Sequence, residues 1–188
     1  MAETDVILTP NELEELFYDF TVLILGANAD VRRSWPTSGA PAFGVADDVT
    51  FFKIYDVPSS MTEQREDEYS QIVSPAASNM ATTYTRTLQV NWTCYGPSSW
   101  NNATLIRNGL FYQENHDVLA VQNIYVVPDM QPPKRVPDLF QGLWYQRYDL
   151  IVNFNEKVVV NREVPYIEVA RIVVEDHSGV VATVEIEE

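Results

Sequence analysis

Cysteine is nearly missing from this chain. Cys94 is its one thiol, so no internal disulfide is available and no disulfide framework argues for secretion. It falls in an alternating apolar run, which predicts a buried structural thiol rather than a nucleophile. Cations are scarce as well: 12 Lys and Arg stand against 27 Asp and Glu, for a net charge of −15. Affinity for phosphates needs clustered Lys and Arg, so a general nucleic-acid binder is excluded. The longest apolar runs fall far short of the ~20 residues of a membrane-spanning helix. The opening MAETDVILTPNELEELF has neither a basic n-region nor an apolar h-region, and no signal peptide is expected there. A soluble, intracellular protein with no membrane contact is the expectation.

Apolar residues make up 46% of the 188, enough for a core without disulfides or metals, and the length fits one domain over 1–188. Aromatics are plentiful, with ten Tyr and four Trp, many beside Pro or Gly. Tyr, Trp and Arg are favoured at the centres of interfaces, although aromatics fill ordinary cores too.

The first helix is written plainly. In LTPNELEELFYDFTVLILG Thr9 can cap, Pro10 suits the first helical position, and Glu12 completes a capping box. Leu13, Leu16, Phe17, Phe20, Leu23 and Ile24 recur at helical spacing, and Gly26 ends the helix. The Pro-, Gly- and Ser-rich stretch to Gly44 reads as a loop, and VTFFKIYDV as a strand. Residues 58–82 read as a hairpin tip or polar excursion.

TTYTRTLQVNWTCYG, from Thr82 to Gly96, alternates for far longer than an average strand. Tyr84, Leu88, Val90, Trp92 and Cys94 share one face, interrupted by Arg86; Thr83, Thr85, Thr87, Gln89, Asn91 and Thr93 share the other. One apolar and one polar face predict an antiparallel sheet covered on one side by helices. The early half is expected to extend beyond the body with the end of VTFFKIYD, pairing Val49–Tyr55 with Thr82–Asn91 as a long projecting hairpin.

GPSSWNNATLIRNGLFY predicts the second principal helix, capped by Ser98 or Ser99, with Ala103, Ile106 and Leu110 inward. NIYVVP is a short strand, and the proline-rich PDMQPPKRVPDLFQG a stiff loop. WYQRYDLIVNFNEKVVV is a strand, and YIEVARIVVED, HSG and VVATVEIEE form a closing hairpin. The fold class is α+β, a mostly antiparallel sheet with two principal helices packed on it.

No reaction chemistry emerges. His116 and His177 each sit beside an acid in a turn, too few for a metal set. Glu63, Glu66, Asp67 and Glu68 lack EF-hand spacing. Asp47–Asp48 and the tail acids Glu185, Glu187 and Glu188 read as solvated charge. No phosphate-binding glycine motif occurs, and Ser98–Ser99 after Gly96–Pro97 lacks the second glycine of a nucleophile elbow. No catalytic, cofactor or metal residue is assigned.

Four blocks carry a resemblance: VRRSWPTSGAPAFGVADDVTFFKI, TRTLQVNWTCYGPSSWNNATLIRNGL, IYVVPDM, and VPDLFQGLWYQRYDL. Together with the β-rich end they resemble the neck terminator proteins of tailed bacteriophages, over nearly the whole chain from about Leu13. The resemblance implies a virion protein of the neck, made in the host cytoplasm. It implies a ring, typically of six copies, that caps the tail tube, ends tube polymerisation and joins the tail to the head connector. Its implied partners are itself, the tube protein and the connector or stopper, with DNA passing through the lumen unbound. It implies no enzyme and no cofactor.

Subunits of a ring meet head to tail through two different surfaces. Trp35, Trp100 and Trp144, the row Thr83, Thr85 and Thr87, and Arg147 are the candidate assembly residues. Carboxylates lining a lumen would repel DNA. A tail tube or head-connector subunit is the alternative reading, and a small ligand-binding or enzymatic α+β domain a more distant one, which would need a convergent polar pocket.

Overall fold

The computed structural model describes residues 5–36, 39, 41–74, 77–165, 169–176 and 179–187. His177 and Glu188, named above, lie outside the described residues, as do Pro75 and Ala76 in the 58–82 stretch. The chain divides into two compact units. One comprises Ile7–Gln64 and Tyr84–Val158, and the other Met1–Val6, Arg65–Thr83 and Val159–Glu188.

In the first unit, helix α1 (Pro10–Leu25) forms as its caps dictate. Thr9 accepts from the Glu12 backbone N–H, and the Glu12 carboxylate accepts from the Thr9 backbone in return. The Thr9 hydroxyl, which donates to the Glu12 carboxylate at 2.7 Å, and then the Thr9 N–H hold the Glu12 carboxyl below its ordinary value. Leu13, Phe17 and Phe20 are buried as the spacing predicted. Leu23 is not: it is 58% exposed, and Thr21 takes the inward position. The helix buries Thr21 because its hydroxyl is satisfied twice, donating to the Phe17 carbonyl (2.6 Å) and accepting from Trp92 Nε1 (2.9 Å).

The sheet of this unit has the order β1 (Asp30–Arg33), β2 (Val49–Asp56), β4 (Ala77–Tyr95), β9 (Arg147–Pro165), β5 (Ile124–Val126). Strand β1 runs parallel to β2, and β5 antiparallel to β9. Strand β6 (Lys134–Arg135) also pairs with β9. Leu88, Val90, Trp92 and Cys94 of β4 are buried on one face, together with Leu150, Val152 and Phe154 of β9. Phe17 meets the ring of Phe154 edge-on at 4.9 Å and that of Trp92 at 6.3 Å, fastening helix to sheet. Each such side chain contributes about 1.5–3 kcal/mol by burial, more than the cap does, so packing decides where the helix lies.

The second principal helix is α3 (Ser99–Gly109), with Ala103 and Ile106 buried as expected and Leu110 just beyond its end. Its expected cap is replaced. No serine hydroxyl caps it; instead Asp48 Oδ1 accepts from the Ser98 backbone N–H at 2.7 Å. A Cβ on Gly109 would stand 2.9 Å from Ile24 Cδ1, so the missing side chain lets α3 approach α1. Two further helices occur among the described residues: α2 (Ser60–Glu63) and α4 (Gln113–Ala120). Neither has the long apolar period that marks α1. No helix among the described residues is long and apolar enough to cross a membrane.

The pairing of the long strand differs from expectation. Strand β2 pairs with the late half of β4, Val49 opposite Tyr95 through Asp56 opposite Leu88. The early half, from Ala77, instead pairs with β3 (Glu66–Ser74), which lies in the second unit. Alternation marks faces but not partners, so the sequence pattern fits either pairing. In the second unit, Val6 bridges Val159, and Asp5 Oδ1 accepts from the Asn161 backbone N–H at 2.7 Å. The closing hairpin is present as β10 (Val169–Asp176) and β11 (Gly179–Glu187).

Candidate assembly surface

The sheet face away from α1 is different in kind. Along β4 it presents Thr85, Thr87, Gln89, Asn91, Thr93 and Tyr95, all half-buried. Gln89 Nε2 donates to Asn153 Oδ1 at 3.1 Å, and Thr87 Oγ1 to Asn155 Oδ1 at 3.4 Å. These bonds knit β4 to β9. Thr83 lies in the second unit and is also half-buried. The threonine row is thus less open than its polarity implied.

Toward the Tyr95 end this face becomes aromatic. Phe43, from the loop before β2, sits 5.5 Å from the Phe51 ring, 5.2 Å from Tyr95 and 5.8 Å from Tyr145. With Phe140 and Asp138 they line a pocket of about 450 Å³. Arg32 lies 6.0 Å over both Phe43 and Phe51, and Arg147 5.8 Å over Tyr95. Such cation–ring contacts stiffen a surface at modest energy.

Arg147 is committed within the chain. It donates to both Asp149 oxygens at 2.8 and 2.7 Å and lies 3.5 Å from Asp138. The bonds to Asp149 raise its pKa above the ordinary arginine value. Tyr95 Oη donates to Asp138 Oδ2 at 3.2 Å, and burial pushes the phenol pKa up, so it remains a protonated donor. This network anchors the base of a hairpin made by β7 (Asp138–Phe140) and β8 (Leu143–Tyr145). Its turn, Gln141–Gly142, has positive φ at both residues, 49° and 80°, as the tightest hairpin turns require. Sequence reasoning missed the hairpin because its very short strands follow directly on a proline-rich stretch. The signal was present in apolar pairs flanking Gln-Gly.

The three tryptophans are all at the surface, though not together. Trp35 is 73% exposed, Trp144 63% and Trp100 54%, whereas Trp92 is fully buried. Trp35 meets Tyr55 edge-on at 6.2 Å, with Lys53 Nζ 5.3 Å from its ring. Trp144 is on β8, and Trp100 in the first turn of α3.

Other candidates take local roles. His116 Nε2 bonds the Leu110 carbonyl at 2.5 Å and fastens the turn between α3 and α4. Asp47 Oδ2 accepts from the Gly44 N–H, while Asp48 caps α3, so this acid pair is structural rather than merely solvated. Glu63, Glu66, Asp67 and Glu68 are exposed, and Asp67 accepts from Thr82 Oγ1. Among the described residues no three His, Cys, Asp or Glu are grouped as metal ligands.

Cys94 is buried, and its thiol pKa is pushed up to about 12, chiefly by desolvation. The thiolate is the reactive form. Native protein at pH 8 should therefore resist a thiol-reactive dye and consume one equivalent only on unfolding. Fast native labelling would show that the core opens around β4.

Residues 11–179 match the family model described as phage neck terminator protein. No curated protein matches the chain.

Proposed function

Because the chain belongs to the phage neck terminator proteins, we propose that it forms a closed ring of about six copies at the head-proximal end of the tail tube. There it ends polymerisation of the tube and joins the tail to the head connector. The family is one of structural virion proteins of the neck and tail, not of enzymes. The carrying observation is the extent of the match, which runs through both compact units. We take both units as parts of one terminator domain.

The surface supports an assembly role. Trp35, Trp100 and Trp144 are exposed anchors of the kind that dominate interface energies. Thr83, Thr85 and Thr87 are candidate contacts of lesser weight, given their half-burial, and Arg147 positions the hairpin. The charge of −15 suits a lumen that passes DNA without gripping it. Assembly takes place in the host cytoplasm on this reading, with the tube protein, the connector and further copies of itself as partners.

Light scattering on the size-exclusion peak, with negative-stain images of the same fraction, tests this. A discrete ring near six times the 21.4 kDa chain is expected, either alone or once tube ends are added. Open filaments would identify a tube subunit instead. A monomer that fails to cap added tubes would remove the terminator reading.

A further inference from the structure

The pocket at the Tyr95 end of the sheet combines aromatic walls with one acid. The rings of Phe43, Phe51, Tyr95, Phe140 and Tyr145 and the carboxylate of Asp138 line its volume of about 450 Å³, within the ~300–1,000 Å³ usual for ligand sites. Among the described residues no Lys or Arg lines it. The rings do not stack flat. Phe43 meets Phe51 and Tyr95 at 52° and Tyr145 at 78°, and Tyr95 meets Tyr145 at 88°. Rings set at such angles turn faces as well as edges toward the space between them, and a ring face attracts a cation. The chain already uses three of these rings in that way. Arg32 stands over Phe43 and Phe51, and Arg147 over Tyr95, whereas among the described residues no cation stands over Phe140 or Tyr145.

The charges around the pocket favour a cation as well. Asp138 and Asp149 share the single guanidinium of Arg147, which leaves one negative charge in excess. Arg32 is matched by Asp30, and Asp47 is near enough to act on it too. Tyr95 and Arg147 both reach Asp138 at Oδ2, and among the described residues nothing bonds Oδ1. The acid of the pocket therefore keeps an open acceptor. Phe140 and Leu143, opposite each other on the β7–β8 ribbon, are 60% and 55% exposed. A free small ion would leave that apolar rim wet, whereas a polypeptide covers it. A planar guanidinium suits both a ring face and a carboxylate edge, and a chain of net charge −15 draws basic partners on encounter. We propose that this pocket receives an arginine side chain of a partner protein, its guanidinium on the Phe140 and Tyr145 rings and within reach of Asp138. The contact holds whether or not the chain closes into a ring.

The full chain is titrated with a blocked Gly-Arg-Gly peptide, with the neutral citrulline peptide of the same shape and tetramethylammonium as comparisons. Aromatic proton NMR shifts of Phe140 and Tyr145 report occupancy. The arginine peptide is expected to saturate those shifts, and the citrulline peptide to bind at least tenfold more weakly. Phe140→Ala removes a mostly exposed ring, and Asp138→Asn keeps an acceptor for the Tyr95 hydroxyl. Each should cut arginine binding severalfold while near-UV circular dichroism stays unchanged. Equal binding of the citrulline peptide would show an apolar slot indifferent to charge and overturn the proposal. So would the absence of a saturable shift, or arginine binding that is unchanged in both variants. Binding of tetramethylammonium alone would make the pocket a site for free small cations and overturn the partner contact.

Discussion

Replacing Arg86 by Ala is expected to destabilise the protein by about 3–5 kcal/mol, the usual cost of leaving a buried charge without its partner. Arg86 interrupts the apolar face of β4. Its Nε donates to Glu156 Oε2 at 2.6 Å, and Nη2 donates to the Leu8 carbonyl at 2.9 Å. Glu156 is only 1% exposed and otherwise accepts from the Leu8 backbone N–H at 3.0 Å. Asp56, 4.0 Å from the guanidinium and well exposed, adds little. In Arg86→Ala the buried Glu156 carboxylate keeps only the bond from the Leu8 N–H. Such a loss is a large part of typical domain stability. The double variant Arg86→Leu with Glu156→Leu should recover most of it, because the apolar pair incurs no charge desolvation. Urea unfolding of the wild type, Arg86→Leu, Glu156→Leu and the double completes the cycle. A single-variant loss below about 1 kcal/mol would mean that water reaches the pair and that it acts as a surface bridge.

That pair shows why part of this fold is legible in sequence and part is not. Arg86 is visible as a break in an apolar face, and Glu156 continues the face of Leu150, Val152 and Phe154. Each looks like an isolated defect. Only the pairing of β4 with β9 makes the two defects one interaction. Helix α1 is the opposite case, since its cap, its stop and most of its buried face are set within a few residues of one another. Thr21 in place of Leu23 is the exception, and its cause is again remote, in the indole of Trp92. The exchange of β2 for β3 as partner of the early half of β4 has the same origin. Strand partners are chosen by tertiary contacts that alternation does not encode.

The assembly surface divides likewise. Exposed tryptophans beside turn residues could be picked out by residue type. Arg147 could be picked out too, but its place in a network with Asp149, Asp138 and Tyr95 could not. The β7–β8 hairpin was hidden because its strands are very short and follow a proline-rich stretch. Its base is held by that network, and β8 is followed at once by Gln146, whose carbonyl accepts from the Gly96 N–H at 3.1 Å.

Gly96→Ala is accordingly expected to cost about 2–5 kcal/mol and to disturb the hairpin base. The residue joins β4 to α3 at φ 97°, a region costing an L-residue about 1–2 kcal/mol. A Cβ there would stand 2.8 Å from Asp48 Cα and nearer still to the Asp47 carbonyl oxygen, both backbone atoms. Overpacking of that sort adds about 1–3 kcal/mol. Relief requires moving Asp48, which gives up the bond from its carboxylate to the Ser98 N–H and uncaps α3. Gly142→Ala is the control: its φ is similarly positive, 80°, but nothing lies within 4 Å of the added Cβ. It should lose only the conformational part, about 1–2 kcal/mol. Denaturant midpoints of the two variants separate the terms. Equal losses would show that the Asp47–Asp48 turn yields freely. A larger loss at Gly96 is the expected outcome, and would show that the close approach of the Asp47–Asp48 turn, beyond the positive φ, sets the cost at the β4–α3 junction.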